Sequence, residues 1–249
     1  SQTGSIGFRI FPFDALQLLQ NVLGIPEGME IPDFKDIGSV IEAWGNAVRE
    51  HVRHQNVIVA NYFKDECRES REANANISPT PTALLSILVE NCIAAARSYN
   101  NRGAKYNVAA IHAGGLPDVA NSLLTLKKIV CDEKRISFRE FVLILRANWK
   151  GHEELRLEAA SKTVCFGNDS DEADSMLRRI TEDYARIAGE THDVNGILRP
   201  VGISTFGREL AYAPQRMATA FGRFAGEVLA PNLSPTPQTD ISGPTAVVK

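Results

Sequence analysis

The sequence carries no excess of basic residues. Its 27 Lys and Arg stand against 30 Asp and Glu, a formal net charge of −3. A nucleic-acid surface needs clustered Lys and Arg to neutralise phosphates. No such cluster occurs, so no nucleic-acid partner is expected. Nor is there an uncharged apolar run near the roughly 20 residues that cross a bilayer, and Ser1 to Gln20 lacks a basic stretch leading to a small-residue cleavage site. The expectation is a cytoplasmic protein with no membrane partner. Cysteine is scarce: Cys67, Cys92, Cys131 and Cys165 are widely spaced with no C-x-x-C pair. This excludes a zinc knuckle or a disulfide framework and leaves reduced, mostly buried thiols. The glycines miss both the dinucleotide and the P-loop spacings. No G-x-S-x-G elbow is present.

What is present is the balance of a globular chain: 249 residues, 44% hydrophobic, 23% charged and only 7% aromatic, enough to bury a core. Helical periodicity is frequent. Ile37, Val40, Ile41, Trp44, Val48 and Val52 predict an amphipathic helix over Phe34 to Arg53, with a continuation to Phe63 open. Ser78-Pro79-Thr80-Pro81 reads as a helix start, with Leu84, Leu85, Leu88 and Cys92 facing a core and the helix fading near Tyr99. Asn100-Asn101-Arg102-Gly103 is turn chemistry, and Tyr106 to His112 is the best short buried strand, ended by Gly114-Gly115. Pro117-Asp118 looks like a helix entry, with Val119, Leu123, Leu126 and Val130 on one face. Ser137-Phe138-Arg139-Glu140 fits a capping box, opening a helix to about Trp149. Another helix is expected from about Asp171 to Ala188. Pro231 to Pro244 is too rich in proline for regular structure.

Spacing alone supplies little chemistry. His51-x-x-His54, with Asp65, Glu66 and Cys67 downstream, could be drawn as a metal site, but flanking Arg49 and Arg53 favour two solvated histidines. Asp169, Asp171, Glu172 and Asp174 could bind a divalent cation, but acids in the first turn of a helix already have sufficient reason at the positive end of its dipole. Periodicity and spacing therefore give a mostly helical domain and no reaction.

Three separated blocks resemble the glycyl radical enzymes, the pyruvate formate-lyase-like family. The first runs from Gly103-Ala104-Lys105-Tyr106-Asn107 through Ala120-Asn121-Ser122-Leu123 and Lys127-Lys128-Ile129-Val130 to Arg146-Ala147-Asn148-Trp149-Lys150-Gly151-His152-Glu153-Glu154-Leu155-Arg156. The second is Gly167-Asn168-Asp169 with the acidic residues to Asp174. The third comprises Gly222-Arg223, Gly226-Glu227, Leu233-Ser234-Pro235 and Gly243-Pro244-Thr245-Ala246-Val247. Ala220-Phe221 stands where the family usually has Pro-Asp, and Cys131 replaces a Phe-like residue. These departures leave the subgroup open.

The resemblance implies an α/β, mostly helical fold: a partial half of the glycyl radical enzyme α/β barrel, with residues 1–249 as a single internal fragment. In the family a radical stored on a backbone glycine passes to a cysteine, whose thiyl radical abstracts hydrogen from a small-molecule substrate. By alignment the cysteine loop should precede Ser1 and the glycine loop should follow Lys249, so no catalytic residue is expected here and the isolated chain is expected to be inactive. No cofactor or metal is expected on this chain. The parent enzyme would carry a glycyl radical installed by a radical SAM activating enzyme, and is expected to be an anaerobic lyase and a homodimer. Expected partners are the remainder of the enzyme or a complementary fragment, the activating enzyme and the substrate. The resemblance also implies that Arg9, in a segment that follows the cysteine loop, Phe13 about one helical turn on, and Arg199 of Arg199-Pro200 contact substrate. Two arginines would suit an anionic one. The alternative is a non-catalytic helical subunit that packs against a partner.

Overall fold

The computed structural model describes residues 4–62, 83–162, 164–205 and 207–248. Two compact units divide the chain: Ser1–Phe11, Glu50–Ile111 and Ala188–Gly202 form one, and Pro12–Arg49, His112–Ile187 and Ile203–Lys249 form the other.

The first unit contains most of a five-stranded open sheet. Strands β1 (Ile6–Asp14), β2 (Tyr106–Gly114), β3 (Asp193–Val194), β4 (Ile197–Leu198) and β5 (Val201–Ile203) are ordered β1-β2-β4-β3, with β5 also paired to β2. β2 and β4 are parallel, with Val108 opposite Leu198. β3 and β4 form a tight hairpin because Asn195 and Gly196 both take positive φ, 53° and 79°, the pair of conformations a two-residue hairpin turn requires. Val59, Ala109 and Ile197 make a small core that Phe11 and Val194 close.

The first-unit helix Ala83–Leu88 is shorter than periodicity predicts. The predicted run toward Tyr99 is broken where Asn91 and Ala96 adopt positive φ, and Asn91 Nδ2 donates to the Gly103 carbonyl at 3.1 Å. Cys92 therefore sits in a turn, not in a helix, packed with Val89 and Ala104. The proposed helix start at Ser78 to Pro81 lies outside the described residues.

In the second unit, Asp14 ends β1 and caps α1 (Ala15–Val22) by accepting from the Leu16 amide at 3.0 Å. α2 (Ile37–Tyr62), which belongs to this unit as far as Arg49 and to the first unit from Glu50, realises the predicted amphipathic pattern and its continuation. Its Trp44 indole donates to the Ala15 carbonyl at 3.1 Å. Gly115, at φ +77°, separates β2 from the helix Leu116–Leu126. That helix is buried all round rather than on one face. Two of its polar side chains are satisfied within the helix: Ser122 Oγ donates to the Asp118 carbonyl and Thr125 Oγ1 to that of Asn121. The helical path continues as a π turn over Lys127–Asp132.

Ser137 and Glu140 form the predicted capping box at the head of Phe138–Arg146, which ends before Trp149. Glu153–Lys162 follows. Asp171–Ala188 spans the predicted range, with Asp171, Glu172 and Asp174 in its first turn, where the dipole favours acids. Among the described residues, no helix is long and apolar enough to cross a membrane.

Candidate functional site

Arg9 and Arg199 both belong to the first unit. Arg9, half-buried on β1, donates through one terminal nitrogen to the Asn100 carbonyl at 2.8 Å and to its Oδ1 at 2.9 Å. Arg199 follows β4 and is 1% exposed. Its Nε donates to Asn56 Oδ1 at 3.0 Å, and a terminal nitrogen donates to the Ala109 carbonyl. The Phe11 ring lies 5.6 Å from its guanidinium carbon. Phe11 is two residues beyond Arg9, and strand side chains alternate, so Arg9 shares a strand face with the ring against which Arg199 stacks. Phe13 is a core residue of the second unit, 5% exposed, meeting Tyr184 edge-on at 5.9 Å between centroids.

The second unit also holds a buried ionic cluster that no local spacing announced. Arg216 donates from Nε to Asp14 Oδ2 at 2.7 Å and from a terminal nitrogen to Oδ1 at 3.1 Å, the two-pronged geometry in which guanidinium and carboxylate match best. Asp118, in the first turn of the Leu116–Leu126 helix, is wholly buried. It accepts from the Thr236 hydroxyl at 2.7 Å and from the Ala230 amide at 3.2 Å. Burial pushes its carboxyl up to about 6, against the opposing pull of Arg216, Thr236 and Ala230. Tyr212 lies under Arg216 at 5.7 Å, and its phenol is raised by burial first and by Asp14 second. Pro117-Asp118 was legible as a helix entry, but nothing near it in the chain reveals that Arg216 and Thr236 converge there.

The remaining candidates are plain. His51 Nε2 lies 3.0 Å from Gln55 Nε2, and burial lowers its pKa, with His54 adding to the effect. Asp65, Glu66 and Cys67 lie outside the described residues, and among the described residues no group of His, Cys, Asp and Glu could hold a metal ion. Cys92 and Cys165 are buried and Cys131 half-buried. Burial raises all three thiols, Cys165 to about 11. An open groove of about 480 Å³ in the second unit is lined by Phe166, Leu177, Arg178, Leu233 and Val247 among others. Arg9, Phe13 and Arg199 are not among its lining residues.

Comparison with known proteins supplies the identity that geometry leaves open. A family model described as pyruvate formate lyase-like matches residues 23–212. The (2S)-3-sulfopropanediol dehydratase of Klebsiella oxytoca is 34% identical over 181 residues, 70% of this chain and 22% of its own. The chain thus spans less than a quarter of that relative. A glycyl radical enzyme from Archaeoglobus fulgidus superposes with a TM-score of 0.75 at 26% identity, over 95% of this chain and 30% of that one. Hydroxyproline dehydratase from Clostridioides difficile, at 23% identity, shares the fold with a TM-score of 0.81 over 98% of this chain and 31% of its own. The open sheet and its helices are accordingly part of the glycyl radical enzyme barrel, and the chain belongs to the pyruvate formate lyase-like family of glycyl radical enzymes.

Proposed function

We infer that this chain is one segment of a glycyl radical lyase that cleaves a C–C or C–heteroatom bond in a small molecule, working anaerobically in the cytoplasm. The observation that carries the reading is the family match over residues 23–212, joined to relatives that are dehydratases several times longer than this chain. The radical-storing glycine and the hydrogen-abstracting cysteine belong to parts of the enzyme outside these 249 residues. The glycyl radical, installed by a radical SAM activating enzyme, would supply the hydrogen-atom abstraction. The buried, protonated thiols of Cys92 and Cys165 serve as small apolar side chains.

Association with the remainder of the enzyme, or with a complementary fragment, is supported by an apolar surface. Leu84 is 77% exposed and Ile93 72% exposed, with Leu85, Ile87 and Leu88 beside them in sequence. So many apolar side chains in contact with water mark a surface that another protein segment covers. The assembled enzyme is a homodimer in this reading.

Within it, Arg9, Phe13 and Arg199 contribute to substrate binding, the two guanidinium groups favouring an anionic group such as the sulfo group on the Klebsiella relative's substrate. Arg9→Gln or Arg199→Gln in the assembled enzyme raises the apparent KM while radical installation persists. An unchanged KM assigns those charges to structure. The coding sequence on either side of this segment tests the whole reading: a cysteine loop and a glycine loop nearby support it. Unrelated sequence on both sides, with no complementary fragment encoded, leaves only a non-catalytic helical module.

A further inference from the structure

The second unit buries two carboxylates around one cation. Asp14 takes Arg216 in a two-pronged pair, so that pair is neutral within itself. Asp118 is left as surplus negative charge in a site with 0% solvent exposure. Its oxygens receive hydrogen bonds from one hydroxyl and one amide, Thr236 and Ala230. A buried carboxylate with that little compensation is stabilised by taking up a proton.

The groups around it are fixed by several segments. Asp14 lies at the end of β1, Arg216 follows a short turn at Ala213–Gln215, Cys165 follows the Glu153–Lys162 helix, and Ala230 and Thr236 lie in the proline-rich stretch. On its own helix, Asn121 Nδ2 donates to Thr236 Oγ1 at 3.2 Å and Asn121 Oδ1 accepts from the Phe166 amide at 3.0 Å. Arg216 pulls the Asp118 carboxyl down and Asp14 pushes it up, while Asp118 in turn disfavours the Cys165 thiolate. None of these groups besides Arg216 brings a positive charge close enough to cancel the second carboxylate fully.

We propose that Asp118 is a buried proton-binding site whose occupancy sets how firmly the segment from Ala230 to Thr236 is seated on the Leu116–Leu126 helix. A solvent proton binds a carboxylate oxygen of Asp118; on Oδ1 it would face Thr236 Oγ1, which lies 2.7 Å from that oxygen. Lifting the segment away admits water, restores an ordinary carboxyl and favours release of the proton. The folded carboxyl keeps its proton to higher pH than an exposed one, so this stabilisation is complete below the ordinary carboxylate range. It is lost as pH rises through about 6. The direction is opposite to that of the paired carboxylates that usually govern acid denaturation.

The test uses the 249-residue chain itself. Carboxyl-carbon NMR should show Asp118 titrating between about pH 5 and 7. Hydrogen exchange at the Ala230 amide, corrected for its intrinsic rate, should show protection falling about tenfold from pH 5 to pH 7.5. In Asp118→Asn that dependence should disappear. Thr236→Val, which deletes the hydroxyl donor to the carboxylate, should move the Asp118 midpoint upward and keeps the test decisive if Asp118→Asn does not fold. An Asp118 midpoint below pH 4.5, or protection at Ala230 that does not change with pH, overturns the proposal.

Discussion

Asp14 and Arg216, 202 residues apart in the chain, meet side by side at 2.7 Å with both side chains almost fully withdrawn from water. The same carboxylate caps α1 through the Leu16 amide, so one side chain fixes both a helix start and a distant segment. A buried pair of this kind adds little over a well-packed apolar pair, but removing one partner strands the other. Arg216→Met leaves Asp14 and Asp118 facing each other without their cation. It should destabilise the chain by about 3–5 kcal/mol in a denaturant titration. The double variant Asp14→Asn/Arg216→Met should recover part of that loss, because the stranded charge is gone. Additive losses would show that the ion pair is not the interaction at stake.

Gly115 makes the cluster possible. At φ +77° a Cβ there would lie 3.0 Å from an Arg216 terminal nitrogen and 3.3 Å from Asp14 Oδ1. Gly28 has a similar φ of +83° but open space around its missing Cβ. Both substitutions to Ala meet the left-handed penalty of roughly 1–2 kcal/mol. Gly115→Ala should cost measurably more than Gly28→Ala, since it also displaces the ion pair. Equal melting-temperature shifts for the two would mean that the cluster yields without loss.

The two tryptophans give a second internal comparison. Both are 0% exposed, but the Trp44 indole N–H is bonded to the Ala15 carbonyl, whereas the buried Trp149 Nε1 has no hydrogen-bond partner among the described residues. Trp149 packs edge-on against Phe141 at 5.7 Å. Replacement by Phe should therefore cost more at Trp44 than at Trp149, by about 0.5–1.5 kcal/mol, because only the first gives up a hydrogen bond that the folded chain makes. The reverse order in denaturant midpoints would contradict this account.

Elements set by local chemistry were legible in the sequence. The Ser137 and Glu140 reciprocal cap and the acidic start of Asp171–Ala188 lie within one turn of the residues they serve. Elements set by distant partners were not. The apolar run after Ala83 reads as a longer helix, yet Asn91 turns to reach the Gly103 carbonyl and the helix stops at Leu88. β1 offers no clean alternation, since residues 9–12 are all half-buried. The β3–β4 hairpin occupies a stretch of weak apolar pattern, where Asn195-Gly196 is its only strong local signal. At the site, Arg9, Phe13 and Arg199 could be nominated only through family resemblance. The Asp14, Asp118 and Arg216 cluster depends on segments that only the folded chain brings together. The irregular stretch from Pro231 to Pro244 was foreseen, and its order comes from side chains: Asn168 donates to the Thr239 carbonyl at 2.7 Å and accepts from the Ser242 amide at 3.0 Å.

The most direct measurement is anaerobic turnover, with electron paramagnetic resonance recorded in parallel, on the purified chain and on the chain reassembled with a complementary segment bearing the cysteine and glycine loops, each treated with the activating enzyme. The chain alone should give no radical signal and no product, and the reassembled enzyme both. Turnover by the chain alone would contradict this. So would a reassembled complex that carries the glycyl radical and converts no small-molecule substrate of the relatives.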